Sequence, residues 1–368
     1  MMKPAQRGSP ERIYGMDVWR GALLTAGLIV HCAALSDITA FNMIEDASHL
    51  CRMEAFFTIS GFFAALTIGK AEPADWIRHR LVMLLVPLAV GLAAAVPLSH
   101  LLIADLAKQP GFMGDYLPWQ PSDWHMHMWF LIALALYVPL TFALQAQDRR
   151  VEAFGRFAAR RPLSTVAALW LAGLGASLAI WAAGKALHVI GLQSIAFLLR
   201  QTTYFCFFYA LGHAAFRVQA VRDLLLSPPR AVYAIAVLLA ILDLAAVAVI
   251  ADGKLRMLIF FVARPIVGFA VTSLVFRSAF SLRHCHKWQA DLSNASYTIY
   301  LLHVPAILGL LWLLYPTGIG PWQAMAVIAP VALLILYYFH LLVVRRSSLL
   351  LLLLNGRRKA TRKTVTAR

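Results

Sequence analysis

Asp17, Arg20 and His31 are of the residue types that grip anions and move protons, and all three fall within one otherwise apolar stretch, Met16 to His31. Arg20 and His31 are eleven residues apart, about 1100° of rotation at about 100° per helical residue. Their side chains therefore point within about 20° of one another, with a rise of about 16 Å between them. Asp17, three residues before Arg20, lies on the same stripe and is placed to pair with it. Such a stripe against hydrocarbon would be costly, so the spacing predicts that it faces a protein interior or a wet cavity.

Further ionisable residues sit inside apolar runs: Arg52, Glu54, His127, Arg200, Asp243, Arg264, His303 and His340. Each costs at least a few kcal/mol at mid-depth in a bilayer unless it is paired or wet. Structural pairing is the plain alternative to function, above all for Arg52, Arg200, Asp243 and His340. Arg52 and Glu54, two positions apart, point to different sides of a helix. His31 and His303 differ in kind, because a neutral imidazole can take a proton from a hydroxyl near neutral pH. Arg20 suits a phosphate-bearing ligand, since its planar fork matches phosphate oxygens.

The elements that must position these residues follow from composition. The chain has 368 residues, 61% hydrophobic and only 14% charged, where a soluble domain carries about 25% charged residues. It reads as an all-α integral membrane protein with no soluble domain, about ten transmembrane helices surrounding a polar cavity. Runs long enough to cross a bilayer fall at 16–36, 50–69, 81–104, 126–146, 163–184, 195–216, 231–251, 257–280, 296–315 and 322–344. They form a single domain over 1–346. Residues 347–368, with leucines from Leu349 to Leu354 and then Arg357, Arg358, Lys359, Arg362 and Lys363, read as an interfacial segment and a mobile, lipid-attracted cytoplasmic tail.

Charge tests this arrangement independently. The net charge is +16. With the N-terminus cytoplasmic, outside connections hold only Lys108, Lys185, Lys254 and Arg256, and nearly all other Lys and Arg lie in inside segments. That is the positive-inside pattern for a multi-pass inner-membrane protein with both ends cytoplasmic. The N-terminus, polar and basic before a full-length span, reads as an uncleaved first helix. Cys32, Cys51, Cys206 and Cys285 have no metal-like spacing and read as packing residues, and nothing indicates a metal or a redox cofactor. The connection 105–125 carries Phe112, Tyr116, Trp119 and Trp124, either interfacial anchors or part of a carbohydrate-binding mouth.

Four motifs then carry a resemblance. Asp17-Val-Trp-Arg20-Gly21 with His31, Phe57-Thr-Ile-Ser60-Gly61-Phe62, His127-Met-Trp129-Phe130-Leu131 and Ser296-Tyr297-Thr-Ile-Tyr300-Leu-Leu-His303-Val-Pro305 resemble, in order, motifs of the acyltransferase 3 family of membrane acyltransferases. Together with ten spans they cover nearly the whole chain. The family often has two arginines three apart entering the third span. Here Arg80 is followed by Met83 where the second would fall, with Arg78 the nearby substitute. Within the family the closest look is to the glucan biosynthesis protein C type, associated with succinyl transfer to periplasmic glucans.

The resemblance implies an acyl-CoA donor, succinyl-CoA in that type, with no permanently bound cofactor, and a periplasmic glucan or other carbohydrate as acceptor. The catalytic residues expected are His31, Arg20 and Asp17. Arg20, Arg78 and Arg80 are expected to bind the donor, and Glu54, His127, Trp129, Tyr297 and His303 to bind or orient substrate. His31 would act as general base or transiently carry the acyl group. One rival is an O-acetyltransferase of a surface polysaccharide or lipid-linked sugar. Another, from a different class, is a transporter or flippase, for which intramembrane charges are equally natural.

Overall fold

The computed structural model describes residues 13–35, 38–109, 124–189, 191–250, 252–284 and 286–357. In chain order its helices are α1 (Tyr14–Ala33), α2 (Thr39–His49), α3 (Arg52–Ile68), α4 (Pro73–Val90), α5 (Val96–Leu106), α6 (Trp129–Gln145), α7 (Asp148–Arg160) and α8 (Pro162–Val189). They continue with α9 (Gln193–Arg217), α10 (Gln219–Leu226), α11 (Arg230–Val249), α12 (Gly253–Ser281), α13 (Lys287–Leu314), α14 (Pro321–Leu342) and α15 (Ser348–Asn355). No strand occurs among the described residues.

Helix starts follow local chemistry. Proline opens α4, α8 and α14, where its missing N–H costs nothing. The Asp252 carboxylate accepts from the Lys254 and Leu255 N–H groups to cap α12. Internal prolines at Pro87, Pro139, Pro265, Pro305 and Pro330 are the kind that neighbouring helices accommodate in a membrane.

Among the described residues, eight helical runs are long and apolar enough to cross a membrane, so the chain is a multi-pass membrane protein. They are Thr39–Ile68, Pro73–Leu106, Met126–Gln145, Pro162–Leu187, Arg230–Val249, Gly253–Ser281, Lys287–Thr317 and Pro321–Arg346. The expected spans 16–36 and 195–216 are helical too, as α1 and α9, but fall outside the eight. Asp17, Arg20 and His31 in α1, and Arg200, Gln201, Thr202 and Thr203 in α9, lower their apolar content.

Two runs begin earlier than apolarity alone predicts. The span expected at 50–69 is preceded by α2, with a break at Leu50 and Cys51. The one expected at 81–104 starts at Pro73 and carries a π-helical turn, Gly91–Ala95, between α4 and α5. Such wide turns inside α-helices are frequent at functional sites.

Helix α1 is the hub. It packs against α2, α3, α12, α13 and α14 and buries Met16, Leu23, Leu24 and Leu28. Helix α3 is buried around most of its circumference and packs along α9. There a Cβ on Gly61 would overlap the Tyr209 carbonyl, and one on Gly212 the Thr58 carbonyl. Small residues at such crossings let two membrane helices approach backbone to backbone. At the periphery α11 turns Val237, Leu238 and Ile241 outward, an apolar face that suits lipid.

Candidate active site

Two pockets stack along the stripe of α1 that carries Arg20 and His31, and Leu24 lines both. The first contains about 840 Å3 of empty space and is lined among others by Arg20, Arg80, Tyr297 and Arg357. The second, about 330 Å3, is lined by His31, Arg52, His127, Trp129, Tyr300 and His303 among others. The eleven-residue spacing thus sets Arg20 into the first pocket and His31 into the second.

In the second pocket three imidazoles converge from distant parts of the chain. Ring centroids lie 5.0 Å apart for His31 and His303, 6.4 Å for His31 and His127, and 4.8 Å for His127 and His303. Helix α1 supplies the first, the short 3-10 turn Met126–Met128 before α6 the second, and α13 the third. His303 Nδ1 lies 2.6 Å from the Tyr300 carbonyl oxygen. A carbonyl only accepts, so that nitrogen carries the hydrogen. His127 Nε2 makes a longer contact, 3.4 Å, with the Leu301 carbonyl and is protonated by the same reasoning. The remaining nitrogens, His127 Nδ1 and His303 Nε2, are buried and find no hydrogen-bond partner among the described residues. Two buried lone pairs facing one site call for O–H or N–H donors. The Tyr300 hydroxyl donates to the His127 carbonyl, tying α13 to the turn before α6.

Arg52 enters the same pocket from α3. Its Nε donates to Ser48 Oγ at 2.8 Å and its Nη1 to the Leu23 carbonyl at 3.2 Å. Glu54 turns the other way and meets Arg264 of α12 at 2.7 Å. Arg264 also lies over the Tyr204 ring, 4.1 Å from its centroid. Glu54 lines neither of these pockets. The structure therefore sets it in a buried cross-helix ion pair and separates it from the histidines with which the sequence reading grouped it.

In the first pocket, Arg20 pairs with Asp17 at 3.4 Å, the contact that helical spacing predicts. The Asp17 carbonyl accepts from Ser293 Oγ at 2.7 Å, which fastens α1 to α13. Arg80 Nη2 donates to Thr67 Oγ1 at 2.8 Å and to the Phe63 carbonyl at 3.3 Å. The Tyr297 hydroxyl reaches the Met83 carbonyl at 3.4 Å. Arg78 is exposed on α4 and does not line the pocket. Trp129 stands at the other site, its ring stacked on Phe205 with centroids 5.5 Å apart. The sequence reading singled out neither Arg52 nor Arg357 as a site residue. A signal for each existed: Ser48 lies four residues before Arg52, and Asn355-Gly356 ends the leucine run as a helix-stop pattern. Phe112, Tyr116 and Trp119 of the expected mouth, and Arg358 onward in the tail, lie outside the described residues.

The fold and these two pockets define a multi-pass membrane protein with a buried imidazole cluster beside a cation-lined chamber. The acyltransferase domain profile of the acyltransferase 3 family matches residues 13–341, and the chain belongs to that family. It is an acyltransferase. Neither a curated protein nor a solved structure matches the chain.

Proposed function

We propose that the protein moves an acyl group, succinyl in the first instance, from a cytosolic acyl-CoA to hydroxyls of a periplasmic glucan across the inner membrane. In this reading ten helices span the bilayer with both termini cytoplasmic. The coenzyme's phosphates lie by Arg20 and Arg80, and its thioester arm extends along α1 past Leu24 to the histidines. The rise of about 16 Å between positions 20 and 31 of a helix is the distance that arm must cover.

The observation that carries the proposal is the convergence of His31, His127 and His303, with two buried imidazole nitrogens still open to donors. A sugar offers hydroxyl donors in plenty. His31 removes the proton from one hydroxyl, and that oxygen attacks the thioester carbonyl carbon. The carbon–sulfur bond breaks, the coenzyme leaves as thiolate, and the imidazolium returns the proton to sulfur. His127 and His303 accept hydrogen bonds from neighbouring hydroxyls and hold the sugar in line. Asp17 orients Arg20, and Trp129 offers an aromatic wall.

Mass spectrometry of periplasmic glycans from cells with and without the gene tests the reading. A succinyl increment that disappears with the gene is the expected result, and loss of an acetyl increment would instead select an O-acetyltransferase. Purified protein in detergent should transfer label from acyl-CoA to glucan without a sealed membrane. A transporter or flippase would not.

A further inference from the structure

The pocket at the Arg20 end of α1 has an unusual charge balance. Arg20, Arg80 and Arg357 line it, and among the described residues no aspartate or glutamate does. Its other polar lining groups are neutral, among them Ser60, Ser293, Asn294 and Tyr297. Asp17 offsets one guanidinium from outside the lining. Three guanidinium groups around one chamber, with Asp17 the one carboxylate among the described residues paired to any of them, suit a ligand with several negative charges.

Arg357 is there by construction. Ser347 caps α15 by accepting from the Leu350 N–H at 3.2 Å, and α15 packs on α4 and α13. At its far end Asn355 is buried, its Oδ1 accepting from Thr298 Oγ1 at 2.8 Å and its Nδ2 donating to the Asn294 carbonyl at 3.3 Å. Gly356 then adopts φ +62, a left-handed helix stop that glycine alone makes without strain. A side chain there would also run into the Met83 backbone. The turn closes with the Arg357 N–H donating to the Leu351 carbonyl at 3.3 Å. The two hydrogen bonds of buried Asn355 and a glycine-only turn against Met83 of α4 thus set Arg357, from the far end of the chain, at the lining of this pocket.

We propose that the segment Ser348–Arg357 is a fixed wall of this pocket and that Arg357 binds phosphate together with Arg20 and Arg80. The proposal rests on the reading that the pocket takes the nucleotide end of an acyl-CoA. The same chemistry would also hold an anionic lipid headgroup, so the two sources are tested in parallel.

The full-length protein is placed in phosphatidylcholine nanodiscs, and coenzyme A and pantetheine are titrated calorimetrically against wild type, Arg357→Gln, Arg357→Lys and a surface control, Arg277→Gln. Phosphatidylglycerol retained through purification is measured by mass spectrometry on the same samples. Losing a charge-assisted phosphate contact should weaken coenzyme A binding about 10- to 100-fold in Arg357→Gln. Pantetheine, which has no phosphate, should bind equally to all variants. Arg357→Lys should recover part of the loss, and Arg277→Gln should match wild type. The slope of affinity against salt should also flatten in Arg357→Gln, an effect that a merely structural role would not produce. If wild type fails to bind coenzyme A but Arg357→Gln sheds phosphatidylglycerol, the phosphate site stands and the acyl-CoA reading falls. If Arg357→Gln matches wild type in both coenzyme A affinity and retained lipid, the proposal is wrong.

Discussion

At the scale of single residues, the imidazoles of His127 and His303 each spend one nitrogen on a backbone carbonyl and present the other as a lone pair. Replacing His303 by Gln keeps a polar side chain but misplaces that acceptor. Turnover should fall about 100-fold, the lower end of what a positioned proton-handling group contributes. The Michaelis constant for the acyl donor should stay within a factor of about 2, because the proposed function puts the coenzyme end in the other pocket; steady-state kinetics on purified protein would show both. Glu54 and Arg264 make a different kind of claim, a buried ion pair joining residues 210 positions apart. Glu54→Gln leaves a guanidinium uncompensated and should destabilise the protein by about 3–5 kcal/mol. The double change Glu54→Gln with Arg264→Met should recover much of that loss in detergent melting curves. The contact of Asp17 with Arg20 was legible in the sequence, because helical geometry fixes neighbours three residues apart. That of Glu54 with Arg264 was not, because nothing local links α3 to α12.

At the scale of elements, the stretch Phe57-Thr-Ile-Ser60-Gly61-Phe62 divides its work. Phe57 stacks on Phe205 with ring centroids 4.7 Å apart, Ser60 lines the cation-rich pocket, and Gly61 lets the backbones of α3 and α9 meet. Gly61→Ala should therefore cost about 1–3 kcal/mol through overpacking, read as a lower melting temperature, whereas Ser60→Ala should leave stability nearly unchanged. Apolar run length located the helices well, because backbone groups in hydrocarbon must bond internally and so impose length and composition together. It missed the helix α2, whose Glu45, Asp46 and His49 dilute the apolar signal. It read the leucine run of α15 as interfacial, and half-exposed leucines suit that; what run length could not show is how Asn355 and Gly356 fasten the end of α15 to α13 and α4.

At the scale of the whole molecule, the positive-inside distribution of Lys and Arg predicts a topology that labelling can test. With Cys32, Cys51, Cys206 and Cys285 changed to alanine, Lys254→Cys should react with a membrane-impermeant maleimide in intact cells. Arg283→Cys should react only after the membrane is opened. The reverse pattern would invert the protein and put the arginine-lined pocket on the wrong side for a cytosolic donor. The order of the four motifs was legible from end to end, but their convergence was not. His31, His127 and His303 come from three separate elements, and only packing around α1 brings their rings within 6.4 Å of each other.

The central claim is that His31 handles the proton at the acyl-transfer step, and single-turnover transfer from labelled acyl-CoA to glucan by purified wild type and His31→Ala tests it most directly. With both proteins folded and binding coenzyme A alike, the rate should drop by about 100- to 10,000-fold in His31→Ala. Transfer at the wild-type rate by that variant would contradict the account.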